Sequence, residues 1–250
     1  MLQKTNNDRM NDDNINALAE VGLASAGIIH EIKNALQGIA NALFLLDAEK
    51  DLKPKAREWV TTARRELMRT LDVTHQTMAL VRDESPAPMR VTDVLEDVLN
   101  TYSGKIAYKG IKIDRRYEFK ETIEADAGAV RQVFANIVLN ALEATPSGTG
   151  RLAIHTSASH GASGKDVAGV RILFADNGPG IPEKDKKKVF EPLFSTKKNK
   201  GAGLGLWVTA RLVRKQHGSL RLHSNSGGSG SGTCFSVFFP LHQRAQLRAA

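Results

Sequence analysis

The region between residues 136 and 206 constrains this chain most, because paired amides and glycine-rich turns follow one another there in a fixed order. Its four motifs are Asn136-x-x-x-Asn140-Ala141, Asp176-Asn177-Gly178-Pro179-Gly180-Ile181, Phe190-Glu191-Pro192-Leu193-Phe194-Ser195-Thr196-Lys197 and Gly201-Ala202-Gly203-Leu204-Gly205-Leu206. Two amides one helical turn apart share a face and can present their oxygens to one cation. Glycines leave backbone N–H groups open to phosphate oxygens, and the last motif opens a helix whose N-terminus favours anions. An acid at a strand end can accept the amino protons of a purine. Together these features predict a nucleotide site with a bound metal ion.

The first third of the chain has heptad spacing. Its seam consists of Ile29, Ile32, Leu36, Ile39, Leu43 and Leu46, at intervals of 3, 4, 3, 4 and 3 residues. This spacing predicts a helix from Ile15 to Lys50. After a turn at residues 51–54, a second helix with a seam of smaller residues is predicted from Lys55 to Glu84. Such helices form an antiparallel hairpin, and one hairpin buries its seam on one side only, so we expect a homodimeric four-helix bundle.

Beyond the second helix, Ser85-Pro86-Ala87-Pro88 predicts a linker, and the apolar period then changes. Helices are predicted at 93–102 (capped by Thr92), 127–144 and 204–216, and strands at 111–119, 122–124, 151–157, 170–175, 219–224 and 233–240. The last two strands are predicted to form a hairpin. Helices and strands mixed in this way predict a two-layer α/β sandwich.

Composition disfavours several classes of protein. The net charge of +8 is compatible with nucleic acid, but aromatic residues make up only 6% of the chain and no arginine cluster is interleaved with them. A single cysteine, Cys234, excludes an intramolecular disulfide framework and fits a reducing compartment. No window approaches the ~18 apolar residues of a membrane helix, and the polar start is no signal peptide. We therefore expect a cytoplasmic protein with neither a nucleic-acid partner nor a membrane segment.

Taken together, the motifs resemble the catalytic core of bacterial sensor histidine kinases of two-component systems. The four motifs match that family's N box, first glycine box, phenylalanine box and second glycine box, and His30-Glu31-Ile32-Lys33-Asn34-Ala35-Leu36 resembles its phosphoacceptor box. The phenylalanine box and the short lid are most similar to those of the nitrogen-regulation subfamily. The resemblance implies an α+β fold: an antiparallel helical hairpin forming a dimeric four-helix bundle, followed by an α/β-sandwich ATP-binding domain of the Bergerat type.

The implied domain boundaries coincide with the change from heptad spacing to mixed helix and strand patterns. It comprises a disordered N-terminus (1–13), a dimerisation and histidine phosphotransfer hairpin (14–85), a linker (86–89), a catalytic ATP-binding domain (90–241) and a tail (242–250). We expect the sensory input to come from a separate sensor domain or protein.

The resemblance also implies individual roles. His30 would accept the phosphoryl group, Glu31 would be its acid/base partner, and Asn34 would orient water during removal of phosphate from a response regulator. Asn140 would hold Mg²⁺ with Asn136 assisting, Asp176 would bind the adenine amino group, and Lys197 would approach the phosphates from the lid. The implied ATP-binding residues are Asn136, Asn140, Asp176, Gly178, Gly180, Ile181, Thr196, Lys197, Gly201, Gly203, Leu204, Gly205, Leu206 and Thr233.

The implied activity is that of an ATP-dependent protein-histidine kinase. It would phosphorylate His30 from Mg-ATP, pass the group to an aspartate of a response regulator receiver domain, and also dephosphorylate that regulator. In related ATPases the position of Asn136 holds a glutamate that activates water, and an amide cannot act as that base. Two residues depart from the family pattern, since Ala35 replaces a common proline and Glu143 replaces a common phosphate-binding lysine. The alternatives are an ATP-binding scaffold or phosphatase with little kinase activity, and a conformational ATPase.

Overall fold

A computed structural model describes residues 36–39, 41–47, 52–63, 66–67, 70, 85–160, 167–192, 194–195, 203–228 and 230–242. The chain divides into two compact units, residues 1–83 with 199–202, and residues 84–198 with 203–250. Among the described residues, no helix combines the length and the apolar character that crossing a membrane requires.

The described parts of the first unit are largely helical. Residues 36–39 and 41–47 are helical, and a further helical stretch runs from Pro54 to residue 63. Proline suits the first position of a helix because its φ is already helical and its missing N–H has no partner to lose there. The Arg57 side chain donates a hydrogen bond to the carbonyl oxygen of Asp47 at 3.3 Å, which ties the start of the second stretch to the end of the first. Most of the predicted hairpin, including 14–35 and 71–84, lies outside the described residues.

The second unit is built on a five-stranded sheet within the described residues. Its strands are β2 (Lys112–Tyr117), β4 (Arg151–His160), β5 (Ala168–Asp176), β6 (Ser219–Asn225) and β7 (Gly232–Pro240), in the order β2-β4-β5-β7-β6. Only β2 and β4 are parallel, whereas the other neighbours run antiparallel. The predicted β6–β7 hairpin is confirmed. A separate two-stranded sheet pairs β1 (Ala87–Met89) with β3 (Ile123–Ala125).

A layer of helices covers one face of the larger sheet. The helices are α1 (Val91–Thr101), α2 (Ser103–Lys109), α3 (Ala127–Ala144) and α4 (Gly205–Lys215). α3 packs against both α1 and α4, and it also contacts β5. The fully buried ring of Phe134 on α3 lies 5.6 Å from that of Phe174 on β5 and 6.4 Å from that of Phe239 on β7. This buried contact between layers confirms the predicted α/β sandwich.

Two predictions near the start of the second unit differ from the structure, and one helix there was missed. Residues 87–89 of the predicted linker form β1, where Pro88 is tolerated because β1 has a single neighbour and leaves one edge unpaired. Thr92 is not the cap of α1, which begins at Val91 after Arg90, and its hydroxyl instead bonds the Asp93 carboxylate at 3.3 Å. Helix α2 was not predicted, because its seven residues bury no side chain and carry no apolar period.

Candidate nucleotide site

Helix α3 carries the two asparagines of the first motif and is held at both ends. Asp126 caps its N-terminus by accepting a hydrogen bond from the backbone N–H of Ala129 at 2.9 Å. At the other end, Lys109 Nζ donates to the carbonyl oxygens of Leu142 at 2.6 Å and Thr145 at 2.7 Å. A cation at a helix C-terminus offsets the partial negative charge of the unpaired carbonyls. The position of α3, and therefore of its asparagines, is thus set at both termini.

Asn136 is buried, and all of its polar atoms are engaged. Its Nδ2 donates to the carbonyl oxygen of Gly205 at 3.0 Å and lies 3.2 Å from Thr209 Oγ1, while its Oδ1 accepts from Gln132 Nε2 at 3.0 Å. Gly205 is the first residue of α4 and Thr209 lies one turn later, so this side chain joins the N box to the end of the second glycine box.

Asn140 lies one turn further along α3 and has different surroundings. It is half-buried, and its amide makes no hydrogen bond with any residue that the structure describes. A half-buried amide without a protein partner is suited to contact a ligand, since buried polar groups are normally paired. Glu143, on the same face, lies 3.5 Å from Lys105 Nζ of α2, so its charge is balanced by a lysine from a neighbouring helix.

The first glycine box begins at the end of β5. The Asp176 Oδ1 accepts a hydrogen bond from the backbone N–H of Gly178 at 2.8 Å, which closes a tight turn after the strand. A Cβ on Gly178 would lie 2.8 Å from that same oxygen and 3.3 Å from Ala144 Cβ, so only glycine fits there without displacement. Gly180 has a φ of +75°, and a Cβ there would overlap the carbonyl oxygen of Asn225.

Two further residues hold this box in place, and their roles were not predicted from the sequence. Asn177 accepts from the backbone N–H of Arg151 at 2.7 Å and donates to the carbonyl oxygen of Thr149 at 2.9 Å. Ser224 on β6 accepts from the backbone N–H of Ile181 at 2.8 Å and donates to the carbonyl oxygen of Gly232 at 2.8 Å. No sequence signal marks Ser224, because its partners are distant in the chain.

Strand β7 borders the same turn. Thr233 is buried, pairs with Asp176 across the sheet, and places its Oγ1 3.1 Å from Ser224 Oγ. The next residue, Cys234, is half-buried, and its burial raises the pKa of the thiol above its usual range. The negative charge of Asp176 raises that pKa further. A thiol held neutral in this way is a weak nucleophile.

The phenylalanine box and the second glycine box are described in part. Phe190 ends the 3-10 helix Lys188–Phe190, which packs against α4, and both Phe190 and Phe194 are half-buried. Gly203 has a φ of +70°, buried Leu204 follows it, and Gly205 and half-buried Leu206 open α4. The predicted site residues His30, Glu31, Asn34, Thr196, Lys197 and Gly201 lie outside the described residues.

The structure therefore brings three motifs together around α3. Asn136 contacts the second glycine box through Gly205, and Ala144, one turn beyond Asn140, lies against the first glycine box at Gly178. Asn140 is located between these two contacts. The turn after Asp176 is joined in addition to β6 and β7 through Ser224 and Thr233.

This donor set fits a metal ion that arrives with a nucleotide. In the described parts of the chain, no group of three or more His, Cys, Asp or Glu side chains can hold a metal ion by itself. Mg²⁺ is a hard cation that takes oxygen ligands and is commonly held by one or two protein groups together with substrate phosphates. The unpaired amide of Asn140 has an oxygen of this kind, so this residue fits such an ion.

The fold and the site define a mixed α/β ATP-binding domain like the catalytic domains of histidine kinases. Residues 125–243 match the family model described as "Histidine kinase-, DNA gyrase B-, and HSP90-like ATPase". This match covers α3, α4, strands β4 to β7 and both glycine boxes.

Individual proteins with similar sequences or structures point to the same class as the family model. Sporulation kinase C of Bacillus subtilis is 29% identical over 87% of this chain and 48% of its own length. The sensory histidine kinase/phosphatase NtrB of Azospirillum brasilense is 28% identical over 93% of this chain and 58% of its own. The crystal structure of full-length ShkA in complex with AMPPNP is 30% identical, with a TM-score of 0.64, and covers 90% of this chain and 47% of that one. These likenesses support a histidine kinase catalytic core that binds ATP. The chain spans 30% to 48% of the length of Bacillus subtilis sporulation kinases C, A and E.

Proposed function

We propose that this chain is the core of a sensor histidine kinase, an ATP-dependent protein-histidine kinase that phosphorylates its own His30. The observation that carries the proposal is the position of Asn140. Its unpaired amide lies on α3 between two contacts, that of Asn136 with the second glycine box and that of Ala144 with the first. Paired glycine boxes on either side of a metal-binding amide suit a nucleoside triphosphate with its Mg²⁺.

Each end of the nucleotide has its own group of residues in this proposal. Asp176 accepts the adenine amino protons, and the turn at Gly178, Gly180 and Ile181 lies beneath the base, with Thr233 behind it. Asn140 holds Mg²⁺, while Thr196, Lys197 and Gly201 approach the phosphates. The backbone from Gly203 to Leu206 leads into the N-terminus of α4, whose N–H groups favour anions.

The proposed reaction transfers the terminal phosphoryl group to an imidazole. A neutral nitrogen of His30 attacks the γ-phosphorus, a P–N bond forms, the bond from phosphorus to the bridging oxygen breaks, and ADP leaves. Glu31 accepts the N–H of the other ring nitrogen and so increases the basicity of the attacking one. Bound Mg²⁺ would neutralise charge that develops on the phosphate oxygens. The phosphoryl group then passes to an aspartate of a response regulator receiver domain.

Transfer is favoured over hydrolysis by the chemistry of residue 136. A water-activating base must accept a proton, and the amide of Asn136 cannot do so. Its oxygen is in addition occupied by Gln132. This disfavours the conformational ATPase as the alternative function.

A homodimer is part of the proposal. Two residues of the predicted heptad seam, Ile39 and Leu46, are 50% and 45% exposed in the single chain. Apolar seam residues at this level of exposure are suited to packing against a second hairpin, which supports the four-helix bundle.

Phosphatase activity toward the regulator is a second proposed function. It is favoured by the polar side chain of Asn34 one turn after His30, and by the similarity to a protein named a histidine kinase/phosphatase. Membership of the nitrogen-regulation subfamily and a cytoplasmic location are likewise proposed.

Incubation with γ-labelled ATP tests the main proposal. We expect acid-labile, base-stable label on the wild-type protein, no label on His30→Gln, and a strong loss of label in Asn140→Ala. His217→Gln is the matched control, because this exposed histidine lies after α4 and should leave the label unchanged. Steady phosphate release without labelled protein would instead identify an ATPase, and ATP binding without either product would identify a scaffold.

A separate variant tests the phosphatase. Asn34→Ala should slow the loss of label from a phosphorylated receiver domain while leaving the labelling of His30 intact.

A further inference from the structure

The hydrogen bonds of Asn136 indicate a role different from that of Asn140. We infer that Asn136 is a positioning residue, which anchors the first turn of α4 to α3, and that it is not a ligand of the metal ion. This inference rests on the proposed function, since it concerns the helix N-terminus assigned above to the phosphates.

The nitrogen of Asn136 is fully used within the protein. An amide nitrogen has two protons, and those of Asn136 are directed to Gly205 O at 3.0 Å and Thr209 Oγ1 at 3.2 Å. Thr209 in turn donates its hydroxyl proton to Gly205 O at 2.7 Å. The three groups therefore form a closed network, and both Asn136 and Thr209 are buried.

The oxygen of the Asn136 amide is engaged on the side of the preceding helical turn. With Nδ2 held by α4, Oδ1 accepts a hydrogen bond from Gln132, which lies one turn before Asn136. Asn140 lies one turn after Asn136, on the opposite side of it along the helix. Gln132 takes one lone pair of Oδ1, and turning that oxygen toward Asn140 would pull Nδ2 away from Gly205 and Thr209.

The first turn of α4 needs an external anchor of this kind. The residue at its N-cap is Leu204, which makes no side-chain cap, and the helix opens at Gly205, which has no side chain of its own to pack. Glycine at a helix start is also conformationally permissive. The network with Asn136 therefore fixes the segment whose backbone N–H groups would face the phosphates.

Neutral variants of near-equal size separate anchoring from metal binding. Asn136→Leu should raise the dissociation constant of a fluorescent ATP analogue about tenfold, both in EDTA and with Mg²⁺, the change expected from losing one to two hydrogen bonds. It should also speed amide exchange at residues 206–209, while the half-saturating Mg²⁺ concentration stays within about twofold of wild type. Asn140→Leu, the matched control, should instead raise the half-saturating Mg²⁺ concentration and leave binding in EDTA nearly unchanged.

The hydrogen-bond network can also be disrupted by replacing Thr209 instead of Asn136. Thr209→Val keeps the volume but removes the hydroxyl, and it should reproduce the faster exchange and weaker metal-free binding of Asn136→Leu. Thr209→Ser restores the hydroxyl and should restore both properties, which a general loss of packing would not do. The double variant Asn136→Leu/Thr209→Val should be no worse than Asn136→Leu alone.

The opposite result would overturn the inference. If Asn136→Leu raises the Mg²⁺ requirement while exchange at residues 206–209 and binding in EDTA match wild type, Asn136 is a metal ligand. A wild-type protein that retains no ATP would instead refute the proposed function, and the exchange of α4 in Asn136→Leu and Thr209→Val would still decide whether Asn136 anchors the helix.

Discussion

At the scale of single residues, Asp176 links the fold to the proposed chemistry. Its Oδ1 closes the turn of the first glycine box by accepting from Gly178 N–H. On the neighbouring strand, Cys234 has a thiol whose pKa is raised by burial and, in addition, by the charge of Asp176. Asp176 thus stabilises a turn and raises the pKa of a nearby thiol. In the proposed function it also recognises the adenine base.

Replacing Asp176 tests its role in base recognition. In Asp176→Asn the new amide presents N–H groups to the adenine amino group, so we expect ATP affinity to fall by at least about tenfold. Inosine triphosphate carries an oxygen at that position, so the affinity of the variant for this nucleotide should fall much less. The ratio of the affinity for ATP to that for inosine triphosphate should therefore decrease. Competition binding with both nucleotides measures this change. Equal losses for the two nucleotides would show that Asp176 does not contact the base.

The thiol of Cys234 gives a prediction about pH. Burial is the larger cause of the raised thiol pKa, and the charge of Asp176 is the smaller one. Alkylation by iodoacetamide at pH 8 should therefore be slower in the native protein than in urea. The folded pKa lies above the unfolded one, so the stability contributed by the neutral thiol is present below the unfolded pKa and is lost as pH rises through the folded one. Asp176→Asn should increase the native rate but leave it below that in urea, since burial remains. A native rate equal to that in urea would contradict this account.

At the scale of elements, the turn from β5 to the 3-10 helix Glu183–Asp185 depends on one backbone conformation. Gly180 has a positive φ and approaches the end of β6 at Asn225. Gly227, in the β6–β7 loop, has a similar φ of +92° but open space around its Cβ position. Comparing substitutions at the two glycines therefore distinguishes two contributions to the free energy of unfolding, that of the left-handed conformation and that of the close approach.

Alanine substitution at both glycines measures that difference. Gly227→Ala should cost about 1 kcal/mol of unfolding free energy, the usual penalty of a left-handed conformation. Gly180→Ala carries the same penalty and in addition forces the chain away from Asn225, so we expect a loss of at least about 2 kcal/mol and weaker ATP binding. Urea denaturation and nucleotide titration of the two variants provide the measurement. Equal losses would mean that the close approach at Gly180 costs nothing.

Elements with strong local patterns were predictable from the sequence, and those made by tertiary pairing were not. Helix α3 has the predicted bounds, 127–144, because an acid cap, a long apolar pattern and a Pro–Gly stop agree there. The strand predicted at 151–157 continues to His160, because Ala158, Ser159 and His160 pair with residues of β5 beyond the apolar pattern. Strand β1 was read as linker because its pairing with β3 leaves no signal in three residues.

The same division holds for the candidate site. Asn140 and Asp176 were identifiable because each belongs to a motif whose chemistry is local. The contact of Asn136 with Thr209 joins residues 73 positions apart, and that of Ser224 with Ile181 joins residues 43 apart. Such partners depend on how helices and strands pack, so they can be read only from the structure.

At the scale of the whole molecule, two compact units carry the two halves of the proposed reaction. The predicted phosphoacceptor box belongs to residues 1–83, and the described nucleotide site belongs to the second unit. This separation suits a core in which one module presents the imidazole and the other delivers the nucleotide. The predicted dimer seam and the described nucleotide site belong to different units, so we expect each to be disrupted without the other.

Charges placed on the heptad seam test the dimer and its independence from the nucleotide site. Ile39→Glu and Leu46→Glu put carboxylates where two copies would pack, so each should shift the protein from dimer to monomer in sedimentation or light scattering. Gln37→Glu is the control, because it adds the same charge at an exposed position outside the seam. ATP affinity should be unchanged in all three, since Asn140, Asp176 and helix α4 lie in the second unit. Seam variants that remain dimeric at micromolar concentration would show that another surface holds the two copies together.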